Sequence, residues 1–263
     1  MKTLLEKLGE KLSNLGEILK LPEGLAWKQK VKNFHWKEYR TCLRLKNSGI
    51  NPQTIFDVGG NEGQFSLAAR ITFPEAKIHV YEPGKEAFKR MKAGLEKNME
   101  RTAWEKTHLH HKALGEEEGK SILHVTNHDQ SSSILCLHPN HETAFPEVKE
   151  ERTEEVVVGT LEKEMGRTKP EGPILLKIDT QGFEMRVLKG AGKALEKIDW
   201  VLLETATQPM YKGEVLFPEI LQWMQGKGFR FVGPVEVNYS PESGPVQFDA
   251  LFQRMGVESE GGL

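Results

Sequence analysis

Residues 54–65 read Thr-Ile-Phe-Asp-Val-Gly-Gly-Asn-Glu-Gly-Gln-Phe, and this stretch decides the fold class. The apolar residues before its glycine-rich turn predict a short buried strand, and the apolar residues after the turn recur at helical spacing. A second β-rich run follows at residues 77–82. The connection between the two runs is long enough only for a helical crossover, so the strands should lie parallel in one sheet.

The turn and the two strand ends predict a ligand site at the carboxyl edge of this sheet. If the strands are neighbours, Asp57 and Glu82 lie roughly 5 Å apart laterally. Glycines let a ligand approach the backbone, and asparagine, present here as Asn61, is the non-glycine residue best able to enter the left-handed region. Glu82 could accept hydrogen bonds from ribose hydroxyls.

The glycine spacing argues against a cofactor that carries phosphate. Asp-x-Gly-x-Asn-x-Gly differs from the Gly-x-Gly-x-x-Gly of dinucleotide binders, and no Gly-Lys-Ser/Thr follows. S-adenosylmethionine fits, because its ribose hydroxyls are free and acidic residues complement its sulfonium and ammonium groups. The alternative is a structural glycine turn beside a solvated glutamate. The predicted cofactor-binding residues are Asp57, Gly59, Gly60, Asn61, Gly63, Gln64, Phe65, Glu82, Pro83, Ala113, Leu114, Ser132 and Asp179.

Length and composition indicate one α/β domain with modest additions in a chain of 263 residues. The net charge of −2 argues against a large nucleic-acid interface and favours a small-molecule or glycan substrate. Cys42 and Cys136 form neither a disulfide framework nor a zinc spacing. No apolar run approaches the roughly 20 residues that span a bilayer, and no signal-peptide core is present, so we expect a cytoplasmic protein.

The N-terminal residues predict helices. Residues 3–20 place leucines and Ile18 on one helical face, and Pro22 ends the pattern. This helix could lie on a membrane or clasp a partner, but its balanced charges favour packing on its own domain or on a second copy of the chain, as a homodimer. A second helix is predicted over residues 27–47.

The middle of the chain predicts a third parallel strand at 107–111, with Ala113 and Leu114 near the adenine side of the crevice. Further strands are expected at 121–126 and 155–159, and the polar segment between them predicts a lid over residues 127–152. Most of the nine histidines lie between His108 and His141. They could bind a metal, but no carboxylate or cysteine completes a recognisable set, so solvated histidines on an edge strand are preferred.

Residues 174–184, Ile-Leu-Leu-Lys-Ile-Asp-Thr-Gln-Gly-Phe-Glu, are the second informative stretch. The continuous apolar run predicts a strand buried on both faces, with Asp179 at its carboxyl end beside the first strand. The alternative role for Asp179 is the N-cap of the next helix. Strands at 200–204, 229–233 and 248–252, and a helix at 213–227, complete the predicted elements.

These motifs resemble those of the FkbM-type family of S-adenosylmethionine-dependent methyltransferases. The resemblance runs from about Arg40 to Phe252, and Lys-x-Asp-x-x-Gly-x-Glu at 177–184 is its most specific element. The family often has alanine where Gly60 stands, a departure expected to matter little for binding. The resemblance implies a Rossmann-like α/β fold with a seven-stranded sheet, mostly parallel with one antiparallel strand, and helices on both faces. It also implies methylation of a hydroxyl on a sugar, polyketide or related metabolite.

An alcohol is a poor nucleophile at neutral pH, so the reaction needs a base or a metal. Asp179 is the first candidate, as base or as the group that orients the substrate hydroxyl. Lys177, Glu204 and His128 are secondary candidates, followed by Tyr211 and Asp249. A divalent metal is possible if Asp179, Glu204 and Asp249 converge, but none is predicted. The competing functions are a non-catalytic methyltransferase-like scaffold and a nicotinamide-dependent oxidoreductase.

The predicted organisation has three parts. Residues 1–48 form an N-terminal helical extension, residues 49–255 form the S-adenosylmethionine-binding methyltransferase domain with the lid at 127–152, and residues 256–263 form a flexible tail.

Overall fold

The computed structural model of the protein describes residues 4–31, 35–240 and 244–256. Ten strands are described: β1 Thr54–Val58, β2 Lys77–Tyr81, β3 Thr107–His110, β4 Ala113–Leu114, β5 Gly119–Thr126, β6 Glu150–Gly159, β7 Ile174–Ile178, β8 Trp200–Ala206, β9 Phe229–Ser240 and β10 Gly244–Arg254. The described α-helices are α1 Leu4–Lys20, α2 Gly24–Lys30, α3 Trp36–Asn47, α4 Gln64–Thr72, α5 Lys85–Asn98, α6 Arg101–Glu105, α7 Pro139–Ala144, α8 Leu161–Thr168, α9 Glu184–Gly190 and α10 Phe217–Gly226.

Seven strands form the main sheet in the order β3-β2-β1-β7-β8-β10-β9. The first five strands in this order, β3, β2, β1, β7 and β8, pair in parallel. Strand β10 is antiparallel to both of its neighbours. The predicted sheet with one antiparallel strand is therefore confirmed. The strands expected at 121–126 and 155–159 belong to a separate three-stranded sheet, in the order β4-β6-β5.

Helices cover both faces of the main sheet. On one face α8, α9 and α10 pack on the apolar side chains of β1, β7, β8 and β10. On the other face α3, α4 and α5 do the same. Because β1 and β7 are buried along their whole length, their sequences are mainly apolar and do not alternate, with Asp57 and Lys177 as buried charged exceptions. Helix α3 belongs to the core of the sheet domain, since Tyr39, Cys42 and Leu45 pack there. The predicted boundary between an N-terminal extension and the methyltransferase domain, after residue 48, stays a prediction.

Two predicted helices differ from the structure. The helix expected over 27–47 is divided, because Val31 adopts an extended conformation after α2 and α3 begins only at Trp36. The helix expected from residue 213 begins at Phe217, where the extended Leu216 precedes it and a proline occupies its first turn.

The last two strands are longer than the sequence predicts, and together they form a long hairpin. Pro234 interrupts the expected strand pattern, yet it lies within β9. It is tolerated because β9 is an edge strand and because the β9–β10 register shifts beside Pro234. This hairpin carries Glu236, Asn238, Gln247 and Asp249 toward the carboxyl edge of the sheet.

The histidine prediction holds only in part. β3 is an edge strand and His108 is exposed, as expected. His110 is only partly exposed, however, and it stacks on Tyr81 and on the buried His79, with ring centroids 4.5 and 5.7 Å apart. These rings pack as part of the sheet face instead of facing solvent.

Among residues 11–20 of the N-terminal helix α1, some apolar side chains are buried and others are exposed. Ile18 is buried, and Glu17 forms an ion pair with Arg40 at 3.3 Å, but Leu12 and Leu19 are 62% and 58% exposed. Within the described residues, no helix is long and apolar enough to cross a membrane. Nearly all of the tail predicted to be flexible, residues 257–263, lies outside the described residues.

Candidate functional site

A cavity of about 470 Å³ lies at the carboxyl ends of the parallel strands. It starts beside the turn after β1, passes the ends of β7 and β8, and reaches the β9–β10 hairpin. Helix α3 and the segment predicted as a lid supply further walls. The cavity therefore occupies the crevice where open α/β sheets bind ligands.

The turn after β1 brings backbone to the cavity surface. Gly59 has φ +82°, and a Cβ there would lie 1.8 Å from the carbonyl oxygen of Asp179. A Cβ on Gly60 would lie 2.3 Å from Cγ1 of Val80. Asn61 adopts the left-handed conformation at φ 46°, as predicted for its residue type. Side chains at the two glycine positions are excluded by the close approach of β7 and β2.

Glu82 follows β2, and its carboxylate is held by the backbone. Its two oxygens accept hydrogen bonds from the amides of Asn61 at 2.8 Å and Gly84 at 2.7 Å. Burial raises its pKa to about 7 despite these donors. Each carboxylate oxygen has a second lone pair, so Glu82 can accept further hydrogen bonds from a ligand in the cavity that it lines.

Asp57 lies below the cavity rather than in its wall. It is fully buried, accepts a hydrogen bond from Ser66 at 2.6 Å and lies 3.1 Å from Nζ of Lys177. Burial alone would lower the pKa of Lys177, but the attraction of Asp57 and Asp179 outweighs burial and raises it. The predicted pairing of Asp57 with Glu82 around a ligand is therefore replaced by an ion pair of Asp57 with Lys177.

Asp179 emerges at the end of β7, and its side chain is 37% exposed. Gln181 donates to it at 2.7 Å, and Nζ of Lys177 lies 3.6 Å away. Asp179 is not a helix cap, because α9 begins after Phe183. The turn is held instead by Glu184, which accepts hydrogen bonds from the amides of Thr180 and Gly182.

Glu204, at the end of β8, is buried and accepts hydrogen bonds from three amide side chains. The donors are Gln181 at 2.6 Å, Gln247 at 3.1 Å and Asn238 at 3.4 Å. Burial, reinforced by Asp179 and Asp249, raises its pKa well above the usual value. No three His, Cys, Asp or Glu side chains in the described part of the chain are arranged to hold a metal ion.

The structure brings most of the predicted site residues into one cavity wall. Its lining includes Gly59, Gly60, Asn61, Gln64, Phe65, Glu82, Pro83, Ala113, Leu114, His128, Ser132, Lys177, Asp179, Glu204 and Asp249. Asp57, Gly63 and Tyr211 do not line it. Gly63 instead precedes α4 at φ +83°, and the Tyr211 hydroxyl donates to Gln181 at 2.7 Å.

Sequence reasoning missed several lining residues, above all Gln181, Glu236, Asn238 and Gln247. For Gln181 the sequence did hold a usable signal, its position next to a glycine in a strand-to-helix turn. The structure places Gln181 in the left-handed region, at φ 57°. The other three lie on β9 and β10, and no local sequence pattern indicates that these strands extend as far as the cavity.

The comparisons with known proteins agree with this geometry. A model of the Methyltransferase FkbM domain matches residues 57–231. "Methyltransferase 1" of Beauveria bassiana (strain ARSEF 2860) is 26% identical, covering 66% of this chain and 71% of that protein. "Methyltransferase sdnD" of Sordaria araneosa is 26% identical, covering 74% of this chain and 81% of that protein.

Among solved structures, Methyltransferase FkbM from Methylobacillus flagellatus KT superposes with a TM-score of 0.50 at 10% identity. The match covers 92% of this chain, and this chain spans 60% of that one. At this identity the likeness supports the fold.

The sheet order, the glycine turn and the crevice define a Rossmann-like methyltransferase. Because the family model matches residues 57–231, more than half of this chain, the chain belongs to the FkbM methyltransferase family.

Proposed function

We propose that this protein transfers a methyl group from S-adenosylmethionine to a hydroxyl of a sugar, glycan or polyketide-like acceptor. The observation that carries the proposal is Asp179, a partly exposed carboxylate at the end of β7 that faces the cavity beside the glycine turn. Small-molecule recognition without nucleic acid, a cytoplasmic location and a homodimer through the N-terminal helices stay predictions from the sequence.

The residues present fit the donor that the family implies. Gly59 and Gly60 line the cavity, and the Glu82 carboxylate, fixed by two amides, has lone pairs for ribose hydroxyls. Ala113 and Leu114 line the same cavity and give an apolar wall for the adenine ring of the cofactor. When bound, S-adenosylmethionine supplies an electrophilic methyl group.

Asp179 is the residue that would take the proton of the acceptor hydroxyl, or hold that hydroxyl in line for attack. Gln181 restrains its carboxylate from one side, and the ammonium of Lys177 attracts it from the other. Lys177 is itself anchored by Asp57 and by the carbonyl of Gly59 at 3.2 Å. A carboxylate restrained in this way loses little freedom when a substrate binds, and alignment of this kind contributes several kcal/mol to catalysis.

Asp179→Asn tests this role. We expect turnover to fall by about 10²-fold or more, the usual contribution of a positioned base. The dissociation constant of S-adenosylhomocysteine, measured by calorimetry, should stay within a few-fold of the wild-type value, since Asp179 is not the ribose carboxylate. Glu96→Gln, an exposed change on α5 outside the cavity, is the control. Unaltered turnover in Asp179→Asn removes this residue from the mechanism.

Calorimetric titration also separates the competing functions. An oxidoreductase would bind NAD in preference to S-adenosylhomocysteine. A scaffold would bind the adenosyl compound but show no turnover with any hydroxylated acceptor.

A further inference from the structure

A cysteine, a histidine and a glutamate lie in a hydrogen-bonded row outside the cavity. Sγ of Cys136 lies 3.4 Å from Nε2 of His124, and Nδ1 of the same ring lies 3.0 Å from Oε2 of Glu150. None of the three residues lines the cavity. A nucleophile, a base within hydrogen-bond reach and a third group that orients the base form the arrangement that activates a thiol.

Backbone pairing holds this row together. His124 lies on β5 and Glu150 begins β6, and these two strands pair antiparallel in the small sheet. The backbone of His124 also exchanges two hydrogen bonds with Ser133, at 2.8 and 3.2 Å. Further along the chain, the carbonyl of Cys136 accepts a hydrogen bond from the amide of Lys212 at 2.9 Å. The segment that carries the thiol is thus tied to neighbouring backbone at both ends.

Glu150 decides which nitrogen of His124 carries the proton. A carboxylate only accepts hydrogen bonds, so Nδ1 donates and Nε2 of the neutral ring has a free lone pair. That lone pair faces Sγ of Cys136, so the thiol donates its hydrogen to Nε2. The ring can therefore take the thiol proton as sulfur attacks an electrophile, and the Glu150 carboxylate stabilises the imidazolium that forms.

The thiol of Cys136 is accessible to a small molecule. Cys136 is partly exposed, whereas Cys42 is fully buried. The side chains of His124 and Glu150 are 21% and 41% exposed, so the base also lies within reach of water. Because Cys136 lies outside the cavity, a small electrophile matches the site better than a bulky substrate does.

We propose that Cys136 is a modification site, at which hydrogen peroxide oxidises the thiol to a sulfenic acid with His124 as the base. The thiol proton passes to Nε2, sulfur forms a bond to one peroxide oxygen, and the O–O bond breaks. The departing hydroxide takes the proton from the imidazolium and leaves as water. Sulfur is oxidised by two electrons and the peroxide is reduced. Glu150 acts through His124 as a positioning residue. Methyl transfer takes no part in this reaction, so the proposed function stands or falls separately.

The test treats the full-length protein with hydrogen peroxide, traps sulfenic acid with dimedone and locates the adduct by peptide mass spectrometry. Iodoacetamide, which replaces iodide by sulfur at carbon, is the second probe of the same thiol. Near neutral pH, Cys136 should react with each reagent about tenfold faster than free glutathione, because His124 takes the proton that water must take from glutathione. Dimedone should label Cys136 and not the buried Cys42.

His124→Gln should lower both rate constants by about tenfold near neutral pH, since it removes the base. His108→Gln, at an exposed histidine on β3, is the control and should leave them unchanged. Glu150→Ala should lower the rates several-fold, and Glu150→Gln, which keeps an acceptor oxygen for Nδ1–H, should retain more of them. At about pH 10 a thiol ionises without a base, so the wild type and His124→Gln should react alike there.

Several results would overturn the proposal. Reaction of the wild type no faster than glutathione, or equal rates in His124→Gln near neutral pH, would remove the base from the reaction. A difference between these two proteins that persists at high pH would show changed access to the thiol instead. Alkylation by iodoacetamide without any sulfenic acid would contradict peroxide as the reagent. Labelling of Cys42 in place of Cys136 would assign the reactive thiol elsewhere.

Discussion

At the scale of single residues, the side-chain amide of Gln181 joins the acidic groups of the site. Its nitrogen donates to Asp179 at 2.7 Å and to Glu204 at 2.6 Å, while its oxygen accepts from the Tyr211 hydroxyl. One amide group carries two N–H donors, so both are used. Gln181 thereby holds two carboxylates in a fixed relation that their mutual repulsion would otherwise disturb.

Gln181→Met, which keeps the length of the side chain but removes the amide, should lower kcat by about tenfold or more, because misplacement of the base is costly. The affinity for S-adenosylhomocysteine should change little. Gln247→Met is the matched control, since Gln247 donates to Glu204 and not to Asp179. Equal losses of kcat in the two variants would show that support of Glu204, and not placement of Asp179, is what matters.

Glu184 makes the stability of the same turn depend on pH. Burial raises its pKa to about 7 from an ordinary value of 4.5, so the folded protein favours the protonated form. The contribution of Glu184 to stability is complete below pH 4.5 and is lost as the pH rises to 7. Compared with Glu184→Gln, the wild-type free energy of unfolding should fall by on the order of 3 kcal/mol over this range. Urea unfolding at pH 4.5 and 7.5 measures the difference, and parallel pH profiles would contradict the expectation.

At the scale of elements, the turn between β1 and α4 depends on close packing against β2. A Cβ on Gly60 would meet Val80 at 2.3 Å, so an alanine does not fit here without adjustment. Gly60→Ala should destabilise the fold by about 1–3 kcal/mol, as overpacking does.

The double variant Gly60→Ala/Val80→Ala provides the control for this prediction. Removal of the Val80 methyl groups relieves the clash, so the double variant should be more stable than the sum of the single changes predicts. Strict additivity in denaturant unfolding would mean that the clash is relieved elsewhere, for example at Met91, whose sulfur lies 3.2 Å from the added atom.

Elements also show where local patterns lose their force. The strands β1 and β7 were predictable because a short, mainly apolar run before a turn is typical of a strand buried on both faces. The β9–β10 hairpin was predicted too short, since Pro234 reads as a break in a strand but is accommodated at an edge with a bulge. The cavity-lining residues Glu236, Asn238, Gln247 and Asp249 lie on this hairpin.

At the scale of the whole molecule, helix α1 has an exposed apolar face that a second copy of the chain could cover. Leu12, Leu15 and Leu19 share this face and are 62%, 37% and 58% exposed. We predict that the protein forms a homodimer through α1 and that Leu12→Ser/Leu19→Ser shifts it to the 29.8 kDa monomer. Light scattering after gel filtration measures the mass. Leu25→Ser, on α2 and 40% exposed, is the control, and a monomeric wild-type protein would contradict the prediction.

The sequence by itself determined the parallel sheet, the glycine turn and the strand-end positions of Glu82 and Asp179. These features follow from short-range rules: apolar runs form buried strands, and the ends of parallel strands share one edge. Only the tertiary structure decided which acids meet. It paired Asp57 with Lys177, linked Asp179 to Glu204 through Gln181 and brought Asp249 into the cavity. Such contacts depend on the pairing of strands far apart in the chain and on side-chain packing, which local spacing does not encode.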